Sequence, residues 1–413
     1  MDETHKTIKL SHFLADTWWF VMTKRLSDSD FFELVKIREK QGFTAAQIVV
    51  GIPPEVGIQN ENAKSIFGSA WDEKGNINMA YLAFAKKRIK IMNEHHLTAI
   101  IYGAWGHQIE WIGTDRMINW WKVLIETFDD CDVIYCLTGE IDIWTNPILS
   151  KCLLPDKTTQ NISLKKYLAK NILIKVYTKL SHNNDIFRKK RLVKWEKVLT
   201  TIRNSTDKPI LIHTLPTSSG FSVIHDIELI SANTFQTGHT RESFNILWRK
   251  IYESKKNYPN KPVINLEPYY EGIHNDFFGE WQLHAFWCSI ASGSYSVCYG
   301  AHGIWNVGDG EFLSQWGKQT FKEALSIKTP EVLGKTYKLL LNYGVLDWED
   351  ISVIRGINDE VLSITRMSKD GQKIIYIPDI TKCKAIPNGR YFIIESGEFI
   401  SQLPNKGSIV VFD

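Results

Sequence analysis

Val133-Ile134-Tyr135-Cys136-Leu137-Thr138-Gly139-Glu140 is a short apolar run that stops on a glycine and a carboxylate. Pro262-Val263-Ile264-Asn265-Leu266-Glu267-Pro268 follows the same plan and also stops on a glutamate. Short apolar runs bounded by turn residues read as buried strands. Working outward, six more appear, at Phe13–Phe20, Thr44–Val50, Thr98–Trp105, Pro209–Pro216, Asn233–Gly238 and Ser296–Tyr299. Helical patterns lie between them, at Ser29–Gln41, Met79–His95, Met117–Phe128, Arg188–Arg203, Arg241–Asn257, Trp281–Ala291 and Phe312–Leu325. Strands alternating with helices predict a parallel sheet with crossover helices. Eight such units predict a (β/α)8 TIM barrel. A doubly wound open sheet is the competing architecture, but no glycine-rich phosphate turn follows the first strand.

The pattern changes near the end of the chain. Residues 1–328 are assigned to the barrel and 329–413 to a small antiparallel β-domain, a β-sandwich-like module. There a helix over Glu331–Asn342 precedes strands at Val361–Met367, Lys373–Ile377, Tyr391–Ser396 and Ser408–Phe412. Turn signals separate these strands at Asp370-Gly371, Pro387-Asn388-Gly389 and Pro404-Asn405-Lys406-Gly407. The sequence shows no obvious aromatic cluster in this module, which reads as a brace for the barrel. The fourth strand-to-helix connection, residues 145–185, is enlarged and would overhang the barrel mouth.

Composition excludes several function classes. The 413-residue chain carries a net charge of +3 with no basic stripe, so nucleic acid is not an expected partner. No apolar run approaches the roughly 20 residues of a membrane span. Met1 to Leu10 is polar, without an apolar segment of signal-peptide type. The expected location is therefore cytoplasmic for the chain as given, and secreted or periplasmic if a leader has been removed. Cys131, Cys136, Cys152, Cys288, Cys298 and Cys383 form no C-x-x-C pair and read as reduced, mostly buried thiols. No cofactor is implied. His107, His213, His239 and His302 are conceivable metal ligands. The chain has no H-E-x-x-H and no H-x-H on its first strand, so no metal is expected. Oligomeric state is not legible.

The aromatic residues point elsewhere. Many of the 15 Trp sit beside Gly, His or Asp, as in Gly103-Ala104-Trp105-Gly106-His107 and His302-Gly303-Ile304-Trp305. Sugar rings have apolar faces edged by hydroxyls, so their sites need flat aromatic platforms with polar groups at the rim. Barrel enzymes present catalytic groups at the C-terminal ends of their strands. Glu140 and Glu267 end strands four and seven, and two facing carboxylates are what glycosidic hydrolysis requires. The acid must stay protonated near neutral pH, and Trp144 is positioned in sequence to supply apolar cover. Asp16, at the end of strand one, either accepts hydrogen bonds from sugar hydroxyls or ties down its own loop. Asp16, Trp18, Trp105, His107, Gln236, His239, Tyr270 and His302 form the expected substrate-contact set for an oligosaccharide or polysaccharide. A non-catalytic carbohydrate-binding protein on a degenerate hydrolase barrel is the alternative, although both acids are retained.

With these residues laid out, the barrel over roughly residues 10–325 resembles the bacterial apiosidase-like glycoside hydrolases. The resemblance rests on Phe13-Leu14-Ala15-Asp16-Thr17-Trp18-Trp19, Arg38-Glu39-Lys40-Gln41-Gly42-Phe43-Thr44, Tyr102-Gly103-Ala104-Trp105-Gly106 and Phe235-Gln236-Thr237-Gly238-His239. It is carried furthest by the segment from Lys261 through Glu267 to Gly272 and by Tyr299-Gly300-Ala301-His302-Gly303-Ile304-Trp305. It implies a TIM barrel with a trailing β-module, a glycosidase acting on complex polysaccharides, and an acid pair at strands four and seven. Glu267 matches the strand-seven acid and is the expected nucleophile. Many relatives carry Gly-Asp where this chain has Gly139-Glu140, which leaves Asp142 as a second candidate for the acid. A retaining course is expected by analogy with other barrels bearing acids on these strands.

Overall fold

The computed structural model describes residues 10–143, 169, 172, 186–357 and 359–413. Eight parallel strands form the first sheet: β1 Leu14–Trp18, β2 Ala45–Val49, β3 Thr98–Tyr102, β4 Val133–Cys136, β5 Ile210–Leu211, β6 Asn233–Gln236, β7 Val263–Glu267 and β8 Ser296–Cys298. Their order is β5-β4-β3-β2-β1-β8-β7-β6, as expected of a TIM barrel, with helices between successive strands. The seam between β5 and β6 is closed by hydroxyl side chains as well as backbone. Ser231 N–H donates to Ile210 O at 2.9 Å, and its Oγ accepts from Ile210 N at 3.2 Å. Trp144, Cys152 and, apart from residues 169 and 172, the enlarged connection 145–185 lie outside the described residues. Among the described cysteines none is paired; four are buried and Cys383 is partly buried.

Strand parity sorts the barrel wall. On β1 and β2, Thr17 and Gln47 are neighbours in register and face the interior. Gln47 Nε2 donates to Thr17 Oγ1 and to Leu266 O, each at 2.9 Å, and Tyr102 Oη donates to Gln47 Oε1 at 2.6 Å. Asp16, one residue earlier, points outward to the helix Asp28–Lys40, where Arg38 Nε meets its Oδ2 at 2.6 Å. Successive side chains of a strand face opposite sides, so these two roles alternate by necessity.

The expected helix over Phe312–Leu325 is largely a loop. Only Phe321–Leu325 is helical, started by a capping box between Thr320 and Glu323. Upstream, Leu313 sits at φ 56, which interrupts any helix there.

The C-terminal module holds β9 Asp350–Arg355, β10 Val361–Met367, β11 Lys373–Ile377, β12 Arg390–Ile393, β13 Glu398–Ile400 and β14 Ile409–Phe412. Where a sandwich was expected, these form one antiparallel sheet in the order β13-β12-β14-β11-β10-β9. A second sheet is not needed, because one face packs on the barrel. Ile364, Tyr376, Phe392, Val410 and Phe412 belong to the same apolar core as the barrel residues. Phe392, Phe399 and Phe412 form the aromatic cluster that the sequence did not reveal, with Phe392 and Phe412 turned onto Trp287 of the helix Glu280–Ala291. Arg366 on β10, 2% exposed, donates to Trp348 O, Ile290 O, Ser294 O and Leu346 O at 2.6–3.1 Å. β9 and β13 were missed in the sequence because both are edge strands with mixed exposure.

Candidate active site

Glu140 follows β4 in a left-handed conformation, φ 41, that non-glycine residues rarely adopt. Its surroundings impose it. Gly139 lies flat against the Trp105 indole, and a Cβ there would come within 2.4 Å of the ring. Gly106 is equally constrained, since a Cβ would meet Glu140 O at 2.2 Å. The β4–β5 ladder also continues past the strand ends, with Ile141 N–H on His213 O at 2.9 Å. Such over-determination is how a strained residue persists at a functional position. The carboxyl then receives two N–H donors. Trp105 Nε1 donates to Oε2 and Gln236 Nε2 to Oε1, each at 3.0 Å.

Glu267 ends β7 and is 7% exposed. His239 Nε2 lies 2.8 Å from its Oε1, and His213 Nε2 lies 2.9 Å from its Oε2. The other nitrogen of each ring accepts a backbone N–H: His213 Nδ1 from Glu140 at 3.1 Å, and His239 Nδ1 from Tyr270 at 3.3 Å. An amide donating to Nδ1 leaves the ring proton on Nε2, the nitrogen that each imidazole turns to Glu267, in a hydrogen bond from His239 and a close polar contact from His213.

These environments separate the two acids. Burial, then the Glu267 charge, raises the Glu140 pKa above the usual glutamate value. Burial also opposes the charge on Glu267, but the His213 and His239 contacts outweigh it and hold this carboxyl below the usual range. One carboxyl is biased toward its acid form and the other toward its anion. That is the division of labour between a proton donor and a nucleophile.

Of the residues expected from the sequence, the structure brings Glu140, Glu267, Trp105, Gln236, His239 and Tyr270 together. The Tyr270 hydroxyl adjoins Glu267, Trp19 and Thr17, and burial first, then the Glu267 charge, raises its pKa well above the usual tyrosine value. His302 lies in the first turn after β8, buried, with Nε2 on Gly317 O at 2.8 Å. It reaches the cluster through Trp305, whose ring is 5.5 Å from His302 and 6.3 Å from Tyr270. Burial, chiefly, lowers its pKa to about 4. His107 packs edge-on to Trp111, with ring centroids 5.0 Å apart.

Asp16 and Trp18 are corrected as substrate contacts. Both are 0% exposed, and the Asp16 carboxylate accepts from Thr17 N, Trp18 Nε1 and Arg38 Nε. They sit on the outward face of β1. Trp19 reaches the site instead, its ring 5.4 Å from that of Trp105. Asp142 does not share the Glu140 site. It is buried, with Oδ1 taken by Leu215 N–H at 2.7 Å and Oδ2 by Arg188 at 3.2 Å. His213 was visible in the sequence as a histidine near a strand end, but nothing there marked it as a partner of both acids. Among the described residues no group of His, Cys, Asp and Glu is arranged to hold a metal ion, and no helix is long and apolar enough to cross a membrane.

The fold recurs in solved structures. A glycoside hydrolase structure aligns at TM-score 0.69 and 16% identity, over 97% of this chain and 92% of the other. A glycoside hydrolase family 5 protein from Bacteroides vulgatus aligns at TM-score 0.70 and 17% identity, over 97% and 89%. A third, described as a putative glycoside hydrolase from Bacteroides vulgatus, gives 0.57 and 11%, over 98% and 79%. At these identities the likeness speaks for the fold alone. A comparison with curated proteins gave no match. The family described as "Apiosidase-like, catalytic domain" matches residues 5–347, which take in every barrel strand, both glutamates and the helix Thr329–Asn342. By that match the chain belongs to the apiosidase-like catalytic domains and is a glycosidase.

Proposed function

We propose that this glycosidase cleaves a linkage in a complex oligosaccharide or polysaccharide with retention of configuration, using Glu140 as acid/base and Glu267 as nucleophile. The observation that carries the reading is the contrast between the two carboxyl sites, Glu140 between Trp105 and Gln236 and Glu267 between His213 and His239, which biases Glu140 toward its acid form and Glu267 toward its anion. In the first step Glu267 attacks the anomeric carbon while Glu140 gives its proton to the departing glycosidic oxygen. In the second, Glu140 takes a proton from water, whose oxygen displaces Glu267 and frees the sugar. Trp105 and Gln236 steady the acid through both steps. Trp19, Trp105 and Tyr270 surround the two carboxyls and are the aromatic groups offered to a sugar ring.

The test is a panel of plant and bacterial oligosaccharides, with released sugar followed by mass spectrometry for the wild type and Glu267→Gln. The expected result is release by the wild type alone. Proton NMR of the first-formed sugar then reads its anomeric configuration, and an inverted product refutes the retaining course. Equal release by both proteins removes Glu267 from the mechanism. A glycan that binds without being cut by the wild type favours the binding-protein alternative.

A further inference from the structure

His213 is fully buried and touches both acids through different nitrogens. Nδ1 accepts the backbone N–H of Glu140 at 3.1 Å, while Nε2 faces Glu267 Oε2 at 2.9 Å. The ring is held edge-on to Tyr102, 5.9 Å between centroids, and tilted against Trp105 at 6.1 Å. Its own backbone belongs to the ladder that pins Glu140: His213 N–H donates to Thr138 O at 3.3 Å, and its carbonyl accepts from Ile141. His239 is the natural comparison. It too donates toward Glu267, but its Nδ1 partner is Tyr270, and it has no hydrogen bond to Glu140.

We propose that His213 is a positioning residue shared by the two acids, one ring nitrogen holding the strained backbone of Glu140 and the other stabilising the Glu267 anion. Its catalytic consequence rests on the retaining-hydrolase reading above, whereas the coupling itself does not. The physical chain is short. The Glu140 amide occupies the Nδ1 lone pair, so the proton must reside on Nε2, where it meets Glu267. Moving that proton to Nδ1 would set two N–H groups against each other and withdraw the donor from the nucleophile. The backbone geometry of the acid and the ionisation of the nucleophile are therefore read through one imidazole. The other ionisable groups that influence Glu267 or its neighbours here include His239, Glu140, Glu55, Tyr270, Tyr102 and Cys298. Any measurement of His213 must leave those side chains in place.

Two near-isosteric variants separate the roles. Asparagine can present an oxygen where Nδ1 stood, and glutamine an N–H where Nε2 stood. The full-length chain is labelled with carboxyl-13C glutamate, and the Glu267 signal is assigned by its loss in Glu267→Gln. The Glu267 acid dissociation constant is then measured by pH titration in the wild type, His213→Asn, His213→Gln and His213→Ala. The constant is expected to fall about tenfold in His213→Asn and His213→Ala, the loss of one close polar contact to a charged group, and to stay within about twofold in His213→Gln. The Glu140 amide proton should keep its wild-type shift in His213→Asn and move in His213→Gln and His213→Ala. In steady-state assays His213→Asn should lower kcat about tenfold with KM within about threefold.

A Glu267 constant unchanged in His213→Asn overturns the proposal, as does a Glu140 amide proton that stays put in His213→Gln. His239→Asn should lower the Glu267 constant without moving the Glu140 amide, and the same displacement in both histidine variants would reduce the effect to general packing. If His213→Ala does not fold, the two amide variants decide the matter. A wild type that cuts no glycan counts against the hydrolase reading, and the titration still decides the role of His213.

Discussion

Gln236 lies in register beside Glu267 on the adjoining strand, yet its side-chain amide reaches across to Glu140 Oε1 at 3.0 Å. It thus links the strand that carries one acid to the carboxyl of the other. Trp105 Nε1 occupies the second oxygen. Both donors favour the anion of Glu140 and restrain its rotation. Gln236→Leu and Trp105→Phe should each lower kcat about tenfold, since a hydrogen bond to an ionisable group is worth roughly 1.5–3 kcal/mol. Losing a donor also raises the carboxyl pKa, so the alkaline limb of the pH profile should move to higher pH. Steady-state kinetics across pH checks both, and a limb that moves downward would refute the assignment of Glu140 as the acid.

The two glutamates should have opposite effects on stability. Glu140 has a raised pKa in the folded protein, so its protonation stabilises the fold below the usual glutamate value. That contribution is lost as pH rises through the folded value, and above it the buried charge is a burden. Glu267 has a lowered pKa, so its charge stabilises the fold above the usual glutamate value and the gain is lost as pH falls through the folded one. At pH 7, Glu140→Gln is therefore expected to raise Tm and Glu267→Gln to lower it. Gln236 can turn its amide to suit a glutamine at 140, whereas a glutamine at 267 would set an amide N–H against one of two histidine donors. Calorimetry of the two variants provides the measurement, and shifts of the same sign would contradict this electrostatic account.

The barrel was legible because most of its strands are apolar runs followed by a glycine or proline. The two candidate acids were legible because strands four and seven end in carboxylates. Which face of a strand looks inward was not. Asp16 and Trp18 share β1 with Thr17, and the sequence does not fix which alternate set meets the site. The structure gives that position to Thr17 and Trp19, because Arg38 draws Asp16 outward. His213 was hidden for a different reason. A histidine on an apolar strand has the same local signature whether it fills a core or touches two acids brought together from distant parts of the chain. The edge strands β9 and β13 escaped because edges tolerate exposure on both faces.

The Asp16–Arg38 pair offers a test of that correction. Both side chains are 0% exposed, and Oδ2 receives Arg38 Nε at 2.6 Å together with Trp18 Nε1 at 2.7 Å. Removing one member of a buried pair strands the other charge at a cost of about 3–5 kcal/mol. Asp16→Asn should therefore unfold at markedly lower denaturant concentration. Its KM for any cleaved glycan should match the wild type wherever the variant is folded. A KM raised tenfold or more with stability intact would return Asp16 to the substrate site.

Arg366 decides whether the β-module is an appendage or part of the enzyme. Its guanidinium is buried, is satisfied by four carbonyls and makes no salt bridge among the described residues. Ile290 O belongs to the last turn of the helix Glu280–Ala291, whose C-terminal dipole favours a cation, and Ser294 O follows just beyond it. Leu346 O and Trp348 O come from the turn that leads into β9. Burial, chiefly, lowers the Arg366 pKa to about 10, which still leaves the group charged at neutral pH. Arg366→Met keeps most of the apolar stem but abandons Leu346 O, Trp348 O and Ser294 O in the interior, while Ile290 O keeps the Gly293 N–H, and each unsatisfied carbonyl costs about 1–3 kcal/mol. Because the module and barrel share one apolar core, the loss should lower a single cooperative melting transition rather than split it in two. Calorimetry of Arg366→Met distinguishes these outcomes: a lowered single transition identifies the module as a brace, and an early separate transition with the barrel melt unchanged identifies it as an independent domain.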